Sequence, residues 1–276
     1  MNPTPAYAPD LAAYFARIGY SGPRTATLAT LNGIVSAHAQ TIPFENLDVL
    51  LGRGINLDPA VVEQKLVHQK RGGYCFEQNT LLLHVLTALG YRVAPISARV
   101  RWQKPRDQIA TRTHVFLRVE LDGESWLADV GVGSNSLTSA IRLLAGAEQA
   151  TPHEPRRLVR EGPLWIHQTC HGGEWLDVCE FTLEEMPPID REVANWFTSA
   201  HPQSHFRNRL IAARAAPDGR RLAVLNNEFI VRHADGRADK RIIASADELL
   251  AILAENFGLH FPAGTRFGGP GALWPT

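Results

Sequence analysis

Apolar residues recur at helical spacing through the first ninety positions of the chain. The first set at i, i+3, i+4 and i+7 consists of Leu11, Tyr14, Phe15 and Ile18. Asp10 precedes this set and is a residue type that caps helices. Asp58 followed by Pro59 is typical of another helix start, and a further apolar helix follows Cys75. The pattern therefore predicts a helical unit over residues 1–90.

From residue 91 the period of the apolar positions changes to two, which is typical of strands. An extended segment comes first, and Pro95 within it indicates a sheet edge or a bulge. Two alternating runs then flank Asp122-Gly123, the strongest short-range signal for a β-hairpin. Further short strands follow, so residues 91–200 are predicted to form a mostly antiparallel sheet or a small barrel.

The last part of the sequence combines strands with a helix. Two segments after residue 220 alternate like strands, and Ser245 with Glu248 forms a capping box that begins a helix. This helix is expected to end near Gly258. The chain as a whole is thus of the α+β class, and its three consecutive regions are 1–90, 91–200 and 201–276.

Residues 71–79 place a single thiol directly behind a diglycine. Gly72 and Gly73 allow a tight turn where a side chain would clash. Cys75 then lies at the predicted start of a helix, where unpaired N–H groups and the helix dipole stabilise a thiolate. On this pattern alone Cys75 is either a nucleophile or a small buried hydrophobic residue, because free cysteine is often fully buried.

The predicted hairpin brings a histidine and an aspartate together. With a two-residue loop, Phe116 lies opposite Asp129, and His114 shares a strand face with Phe116 because side chains alternate. His114 and Asp129 are then diagonal neighbours, although a slip of one residue would put them on opposite faces. Either residue alone in a strand is usually structural. Together with Cys75 they form a nucleophile–base–orienter set.

Composition and charge exclude several classes of protein. Of the 276 residues, 28 are Lys or Arg and 28 are Asp or Glu, so nothing favours a nucleic-acid or polyanion binder. No run approaches the roughly 18 apolar residues of a membrane span. Residues 1–6 lack the basic and apolar parts of a signal peptide. Three cysteines is an odd, low number that fits free thiols, so we expect a cytoplasmic protein.

Two other groups of residues also suggest chemistry. The first, which hints at a metal site, comprises His167, Cys170, His171 and Cys179. Its spacing fits none of the usual zinc patterns, so these residues are interpreted as structural and no metal is expected. In the second group, Arg71 forms either a buried ion pair with Glu45 or Asp48 that holds the cysteine loop, or a solvated surface pair.

Several segments together resemble the signatures of the arylamine N-acetyltransferases. They follow the family's order and extend from about residue 10 to 210. The clearest are 42–47 (IPFENL), 71–79 (RGGYCFEQN), 113–114 (TH), 127–131 (LADVG), 195–199 (NWFTS) and 201–206 (HPQSHF). The resemblance implies an N-terminal helical bundle with the cysteine, a central antiparallel β-barrel with the histidine and aspartate, and a C-terminal α/β lid.

The resemblance also implies an activity, the transfer of acetyl from acetyl-CoA to arylamines, arylhydroxylamines or arylhydrazines through an acetyl-cysteine intermediate. Cys75 would be the nucleophile, His114 the base and acid, and Asp129 the orienter. Acetyl-CoA would be a cosubstrate, and the enzyme would work as a monomer or homodimer. A non-catalytic binding protein, an amide synthase and a thiol hydrolase with the same three residues remain open as alternatives.

Substrate contacts follow from the same resemblance. Phe44 would line the acceptor pocket, and Phe206 would lie near the coenzyme entrance. The family often has an aromatic residue where this chain has Val132, which predicts a roomier, less aromatic acceptor pocket. Gly131 and Gly133 would let the backbone approach the coenzyme, although a short glycine pattern is weak evidence for phosphate binding.

Overall fold

The computed structural model describes residues 7–268. Residues 1–6, on which the expectation of no signal peptide rests, lie outside the described residues, as do residues 269–276. Within the described range, no helix is long and apolar enough to cross a membrane.

Helices make up most of the first ninety residues, as the apolar spacing predicts. They are α1 (Leu11–Ile18), α2 (Leu28–Thr41), α3 (Leu47–Leu50), α4 (Pro59–Glu63), which continues as a π-helical turn (Gln64–His68), and α5 (Cys75–Ala88). Asp10 and Asp58 each accept a hydrogen bond from an N–H in the first turn of the helix that follows. Gly19 ends α1 at φ +66°. The helix starts predicted at Asp10 and Asp58 are therefore confirmed.

The described strands form two antiparallel sheets. In chain order they are β1 (Phe44–Glu45), β2 (Arg92–Val100), β3 (His114–Leu121), β4 (Glu124–Ala128), β5 (Ile141–Arg142), β6 (Glu148–Gln149), β7 (Arg156–Glu161), β8 (Leu164–His171), β9 (Glu174–Glu185), β10 (Ile211–Ala215), β11 (Arg221–Leu225), β12 (Glu228–Arg232) and β13 (Ala238–Ile242). One sheet has eight strands in the order β5-β4-β3-β2-β9-β8-β7-β6, and the other has five in the order β1-β10-β11-β12-β13.

The eight-stranded sheet is nearly closed and barrel-like, as predicted for the middle of the chain. Pro95 lies on β2, an inner strand that pairs with β3 on one side and β9 on the other. The pairing with β9 changes register between Ile96 and Ala98. Pro95 therefore marks a bulge and not a sheet edge, because a residue without an N–H is tolerated where the ladder is irregular.

Two helices occupy a stretch where the sequence patterns predict none. They are α6 (Pro188–Ala200) and the short α7 (His205–Asn208). A start signal was nevertheless present, because α6 begins at Pro187 and Pro188, and proline is favoured at the first helical position. These helices place the segment before β10 beside the cysteine loop, since Asn195 of α6 accepts a hydrogen bond from the Tyr74 hydroxyl.

The C-terminal region is an α/β layer. Helix α8 (Ala246–Phe257) begins with Ser245 accepting a hydrogen bond from a first-turn N–H, and ends at Gly258 in the left-handed conformation, as predicted. Strand β1 comes from the helical region, yet it joins this sheet, with Phe44 opposite Ala213 of β10. The limits of the three regions at residues 90 and 200 stay a prediction.

A small apolar cluster lies where the parts of the fold meet. Its members are Phe44, Tyr74, Cys75, Phe76, Val115, Met186, Ala194 and Ala213. They come from the helical region, the barrel, α6 and the C-terminal sheet. The fold therefore assembles the surroundings of Cys75 from segments that are far apart in the sequence.

Candidate active site

The thiol of Cys75 belongs to the first residue of α5, as predicted. The N–H of Tyr74 donates to the Glu77 carboxylate at 3.0 Å, which fixes the first turn of this helix. Cys75 is only 3% exposed, and its Sγ donates to the Thr113 carbonyl oxygen at 3.6 Å. Because Thr113 directly precedes His114, this contact brings the thiol beside the predicted base.

The hairpin has the register that its two-residue turn predicts, with Leu117 opposite Ala128 in the β3–β4 pair. In that register His114 and Asp129 lie on one face. His114 Nε2 is 2.7 Å from Asp129 Oδ2, and both residues are buried. The diagonal pair predicted from the turn is therefore confirmed.

Burial and charge together set the protonation of this pair. Burial lowers the pKa of His114, but the Asp129 charge and hydrogen bond, with a smaller contribution from Cys75, outweigh burial and raise this pKa to about 10. Burial raises the pKa of Asp129, but His114, Asn79 and the Gly131 N–H produce a net lowering. His114 is therefore an imidazolium against a carboxylate, and Nδ1 is the nitrogen that remains for the thiol.

Asn79 links the cysteine helix to the hairpin, a role that the sequence patterns did not assign. Its Nδ2 donates to Asp129 Oδ1 at 3.0 Å and to the Val115 carbonyl oxygen at 2.7 Å. Its Oδ1 accepts from the Val130 N–H at 3.2 Å. The signal that could have found Asn79 is its spacing, because it lies four residues after Cys75 and so on the same helix face.

The loop after the hairpin is pressed against the site at two glycines. A Cβ added at Gly131 would lie 2.7 Å from the Cys75 Cα, closer than real Cβ atoms approach. Gly133 has φ +66°, and a Cβ there would lie 3.7 Å from the Phe44 ring. Val132 between them is half-buried. The loop therefore borders the space between the thiol and Phe44.

An aromatic wall lies beside the thiol. The ring centroid of Phe206 is 6.0 Å from that of Phe44 and 5.4 Å from that of Tyr74. Phe44 and Tyr74 belong to the same apolar cluster as Cys75, and Phe206 packs against that cluster. The fold thus brings both predicted substrate-contact phenylalanines close to the thiol, and their roles stay predictions.

Buried ion pairs hold the segment before the thiol in place. Arg71 Nη2 lies 2.8 Å from Glu45 Oε1 and 3.2 Å from Asp48 Oδ1, and the Glu45 side chain is 1% exposed. Lys65 joins Asp48 and Glu77 at 2.8 and 2.7 Å. Of the two interpretations of Arg71, the buried ion pair is therefore confirmed.

A cavity of about 380 Å³ opens next to Thr113, the residue whose carbonyl accepts from the thiol. Charged side chains, including Arg112 and Glu184, line its outer part, while Met186 and Ala194 line its apolar side. The last two residues also belong to the cluster around the thiol. The cavity and the thiol therefore share a wall.

The histidines and cysteines with metal-like spacing lie on strands of the barrel. His167 of β8 and Cys179 of β9 face each other, with Nδ1 3.9 Å from Sγ. Burial lowers the pKa of His167 to about 3, so its imidazole is neutral. Among the residues that the structure describes, no three His, Cys, Asp or Glu side chains are grouped as metal ligands.

Comparisons with known proteins agree with this fold. A family model described as N-acetyltransferase matches residues 27–265, which identifies the protein as an acetyltransferase. The arylamine N-acetyltransferase of Escherichia coli (strain K12) is 42% identical over 252 residues, covering 91% of this chain and 89% of that protein. The chain belongs to the arylamine N-acetyltransferase family.

Further relatives cover nearly the whole chain. The arylamine N-acetyltransferase / N-hydroxyarylamine O-acetyltransferase of Salmonella typhimurium is 38% identical over 249 residues, covering 90% of this chain and 88% of that protein. The structure of the Mycobacterium tuberculosis arylamine N-acetyltransferase matches with a TM-score of 0.88 and 41% identity, over 96% of this chain and 98% of that one. The Mycobacterium marinum enzyme in complex with CoA matches with a TM-score of 0.87 and 38% identity, over 90% and 92%.

Proposed function

We propose that this enzyme transfers acetyl from acetyl-CoA to the nitrogen of arylamines, arylhydroxylamines or arylhydrazines in two steps, through acetyl-Cys75. The observation that carries the proposal is the buried His114–Asp129 pair, 2.7 Å apart, beside a thiol at the first residue of a helix. Nucleophile, base and orienter in this order are the parts that an acyl-enzyme mechanism requires.

In the first step, the Cys75 sulfur, whose proton has passed to His114 Nδ1 and completes the imidazolium, attacks the acetyl carbonyl carbon of acetyl-CoA. The bond between this carbon and the CoA sulfur breaks, and His114 gives the proton to the departing sulfur. Asp129 keeps the imidazole oriented and stabilises its charged form. One thioester replaces another, so the step needs no further reactant.

In the second step, the acceptor nitrogen attacks the carbonyl carbon of acetyl-Cys75. The bond from this carbon to Sγ breaks, and His114 accepts the proton that the nitrogen loses. The products are the N-acetylated acceptor and the free Cys75–His114 pair, ready for another acetyl-CoA. Burial of His114 beside the thiol favours attack by a bound amine over attack by water.

We propose that the acceptor ring packs against the aromatic wall. Phe44 and Phe206 supply apolar faces next to Cys75. Val132 is smaller than an aromatic residue, so the pocket should admit bulkier acceptors than a pocket with an aromatic residue at this position. The printed name of the Salmonella typhimurium relative, which includes N-hydroxyarylamines, supports this acceptor class.

We propose acetyl-CoA as the donor, with no metal. The CoA complex of the Mycobacterium marinum enzyme supports this choice. Gly131 and Gly133 keep side chains out of the loop beside the thiol, and we propose that the thioester end of the coenzyme passes along it.

The described cysteines are free, and a nucleophilic thiol must stay reduced, so we propose a cytoplasmic location. The oligomeric state, monomer or homodimer, stays a prediction.

Release of CoA from acetyl-CoA, followed with and without an aromatic amine, tests the proposal. Acetyl transfer predicts at most one CoA released per protein without the amine, and sustained release once aniline is added. A sustained rate that is indifferent to aniline would instead identify a thiol hydrolase. A burst with no turnover on any aniline or hydrazine would favour the amide synthase.

A further inference from the structure

Three arginines surround one carboxylate behind the loop that follows the hairpin. Glu154, in the segment before β7, accepts hydrogen bonds from Arg221 at 2.7 Å, from Arg232 at 3.0 Å and from Arg156 at 3.2 Å. The side chains of Arg156 and Arg221 are 0% and 2% exposed, and those of Glu154 and Arg232 are 12% and 16% exposed. We call these four residues the Glu154 cluster.

The Glu154 cluster also binds the backbone of the loop. Arg221 Nη1 donates to the Ser136 carbonyl oxygen at 2.8 Å, and Arg232 Nη2 donates to the Ser134 carbonyl oxygen at 3.0 Å. A guanidinium presents several donors in a rigid fork, so one side chain can bind a carboxylate and a carbonyl together. Glu154 therefore fixes the positions of the Arg221 and Arg232 guanidiniums, and these in turn fix the positions of the loop carbonyls.

The same loop borders the space where the proposed acceptor reacts. A Cβ at Gly131 would overlap the Cys75 backbone, and Gly133 lies against the Phe44 ring. The carbonyls of Ser134 and Ser136 belong to the next residues along the chain. A shift of these carbonyls would therefore widen or narrow the gap between Phe44 and the thiol.

The composition of the Glu154 cluster indicates that it positions the loop and does not only stabilise the fold. Two buried guanidiniums and one partly buried guanidinium share the charge of Glu154, and burial with the neighbouring Arg221 lowers the pKa of Arg156 to about 9. Arg156 Nε and Nη1 have no hydrogen-bond partner within the described range. Apolar packing often stabilises a fold as well as a buried ionic cluster does. What the guanidiniums add is a fixed set of directions and distances for the loop carbonyls.

We propose that the Glu154 cluster selects the acceptor: Arg221 and Arg232, oriented by Glu154, fix the loop of residues 131–136 and so the size of aromatic acceptor that the site admits. This inference rests on the proposed function, because it concerns the second step. These arginines are positioning residues, since they act through the loop. Formation of acetyl-Cys75 depends on the hairpin pair and on residues 131–133 next to the thiol, whereas Arg232 holds the Ser134 carbonyl further along the loop, so acetylation is expected to proceed without Arg232.

The test compares two acceptors of different size, aniline and 4-butoxyaniline, in Arg232→Met. The ratio of their kcat/KM values should change about tenfold, the factor that corresponds to one lost hydrogen bond to a charged group. The rate of acetyl-Cys75 formation should stay within about twofold of the parent enzyme, a change too small to reflect a lost hydrogen bond. Arg232→Lys keeps the charge but not the fork, so its ratio should fall in between.

The matched control is Arg241→Met on β13, whose side chain is 60% exposed and pairs with Glu248 at 3.0 Å. It should leave both the ratio and the acetylation rate unchanged. A partly unfolded preparation cannot mimic the expected result, because the active fraction cancels in a ratio of two acceptors.

Two results would overturn the inference. One is an acceptor ratio for Arg232→Met equal to that of the parent enzyme. The other is a much slower formation of acetyl-Cys75, whatever the acceptor ratio, which would mean that the cluster serves the hairpin pair. Failure of the proposed function looks different, because the parent enzyme itself would then form no acetyl-Cys75.

Discussion

At the scale of single residues, the Asp129 carboxylate is constrained by three hydrogen-bond donors. Its carboxylate accepts from His114 Nε2 at 2.7 Å, from Asn79 Nδ2 at 3.0 Å and from the Gly131 N–H at 2.9 Å. Every one of these partners is a donor. An amide at this position would bring its own NH₂ against a donor, so His114 would be pushed to the tautomer with its proton on Nδ1.

We predict that Asp129→Asn slows the acetylation of Cys75 by at least about 100-fold, because Nδ1–H cannot accept the thiol proton. The fold should be retained, since the two side chains have the same shape. Intact-mass kinetics and circular dichroism check the two statements. Asp177→Asn, at an aspartate that pairs with Arg106 on the barrel, is the control and should acetylate normally. Near-normal acetylation in Asp129→Asn would contradict the assigned role.

The raised pKa of His114 leads to a prediction about how the acetylation rate depends on pH. Its pKa is raised to about 10, so the imidazolium persists well above the usual value of 6.5 and is lost only as the pH rises through about 10. Transfer of a proton to the leaving CoA requires this imidazolium. The single-turnover acetylation rate should therefore decline with a midpoint near pH 10, and the decline should lie at lower pH if the Asp129 charge is removed. An alkaline decline centred near 6.5 would contradict this picture.

At the scale of structural elements, the loop of residues 131–136 lies directly against the cysteine helix at Gly131. We predict that Gly131→Ala lowers the free energy of unfolding by about 1–3 kcal/mol, because its Cβ would lie 2.7 Å from the Cys75 Cα. Denaturant unfolding measures this cost, and acetylation should slow as the helix start is displaced.

The control for this prediction is Gly54→Ala, at an exposed glycine with nothing within 4 Å of the added Cβ. That change should be neutral, or stabilising by up to about 1 kcal/mol, because alanine restricts the unfolded chain. Equal stability of the two variants would show that the loop can retreat from α5 without cost.

Elements whose signals are local were predicted from the sequence, and elements that depend on distant partners were not. The start of α5 at Cys75 follows from the diglycine and the apolar spacing, and the His114–Asp129 diagonal follows from the turn between β3 and β4. Strand β1 has only two residues and exists because Phe44 pairs with Ala213, far along the chain. No periodicity can show such a strand.

At the scale of the whole molecule, the site depends on contacts that join the helical region to the rest. Arg71, next to the cysteine loop, pairs with Glu45 of β1, which belongs to the C-terminal sheet. We predict that Arg71→Met lowers the free energy of unfolding by about 3–5 kcal/mol, because it leaves the Glu45 carboxylate buried without its partner. Denaturant unfolding measures this difference.

The comparison for Arg71 is Arg53→Met, since Arg53 pairs with the same Asp48 at 3.2 Å but is 61% exposed. A surface pair of this kind contributes about 0–1 kcal/mol. If the two variants lost the same stability, the Arg71 pair would not anchor the cysteine loop.

The whole-molecule arrangement also sets the limit of what the sequence could show. Residue patterns predicted the three candidate catalytic residues, because each lies at a local landmark. The Glu154 cluster gave no sequence signal, since Arg221 and Arg232 lie opposite each other on β11 and β12, far along the chain from Glu154, and meet it only when the barrel and the C-terminal sheet pack together. Asn79 is an intermediate case, visible only through its spacing from Cys75.

Cys75 is proposed to carry the acetyl group, and intact-mass measurement after mixing with acetyl-CoA shows whether it does. We expect a gain of one acetyl group in the parent protein, its removal on addition of aniline, and no gain in Cys75→Ala. No gain in the parent protein, or a gain that persists in Cys75→Ala, would contradict it.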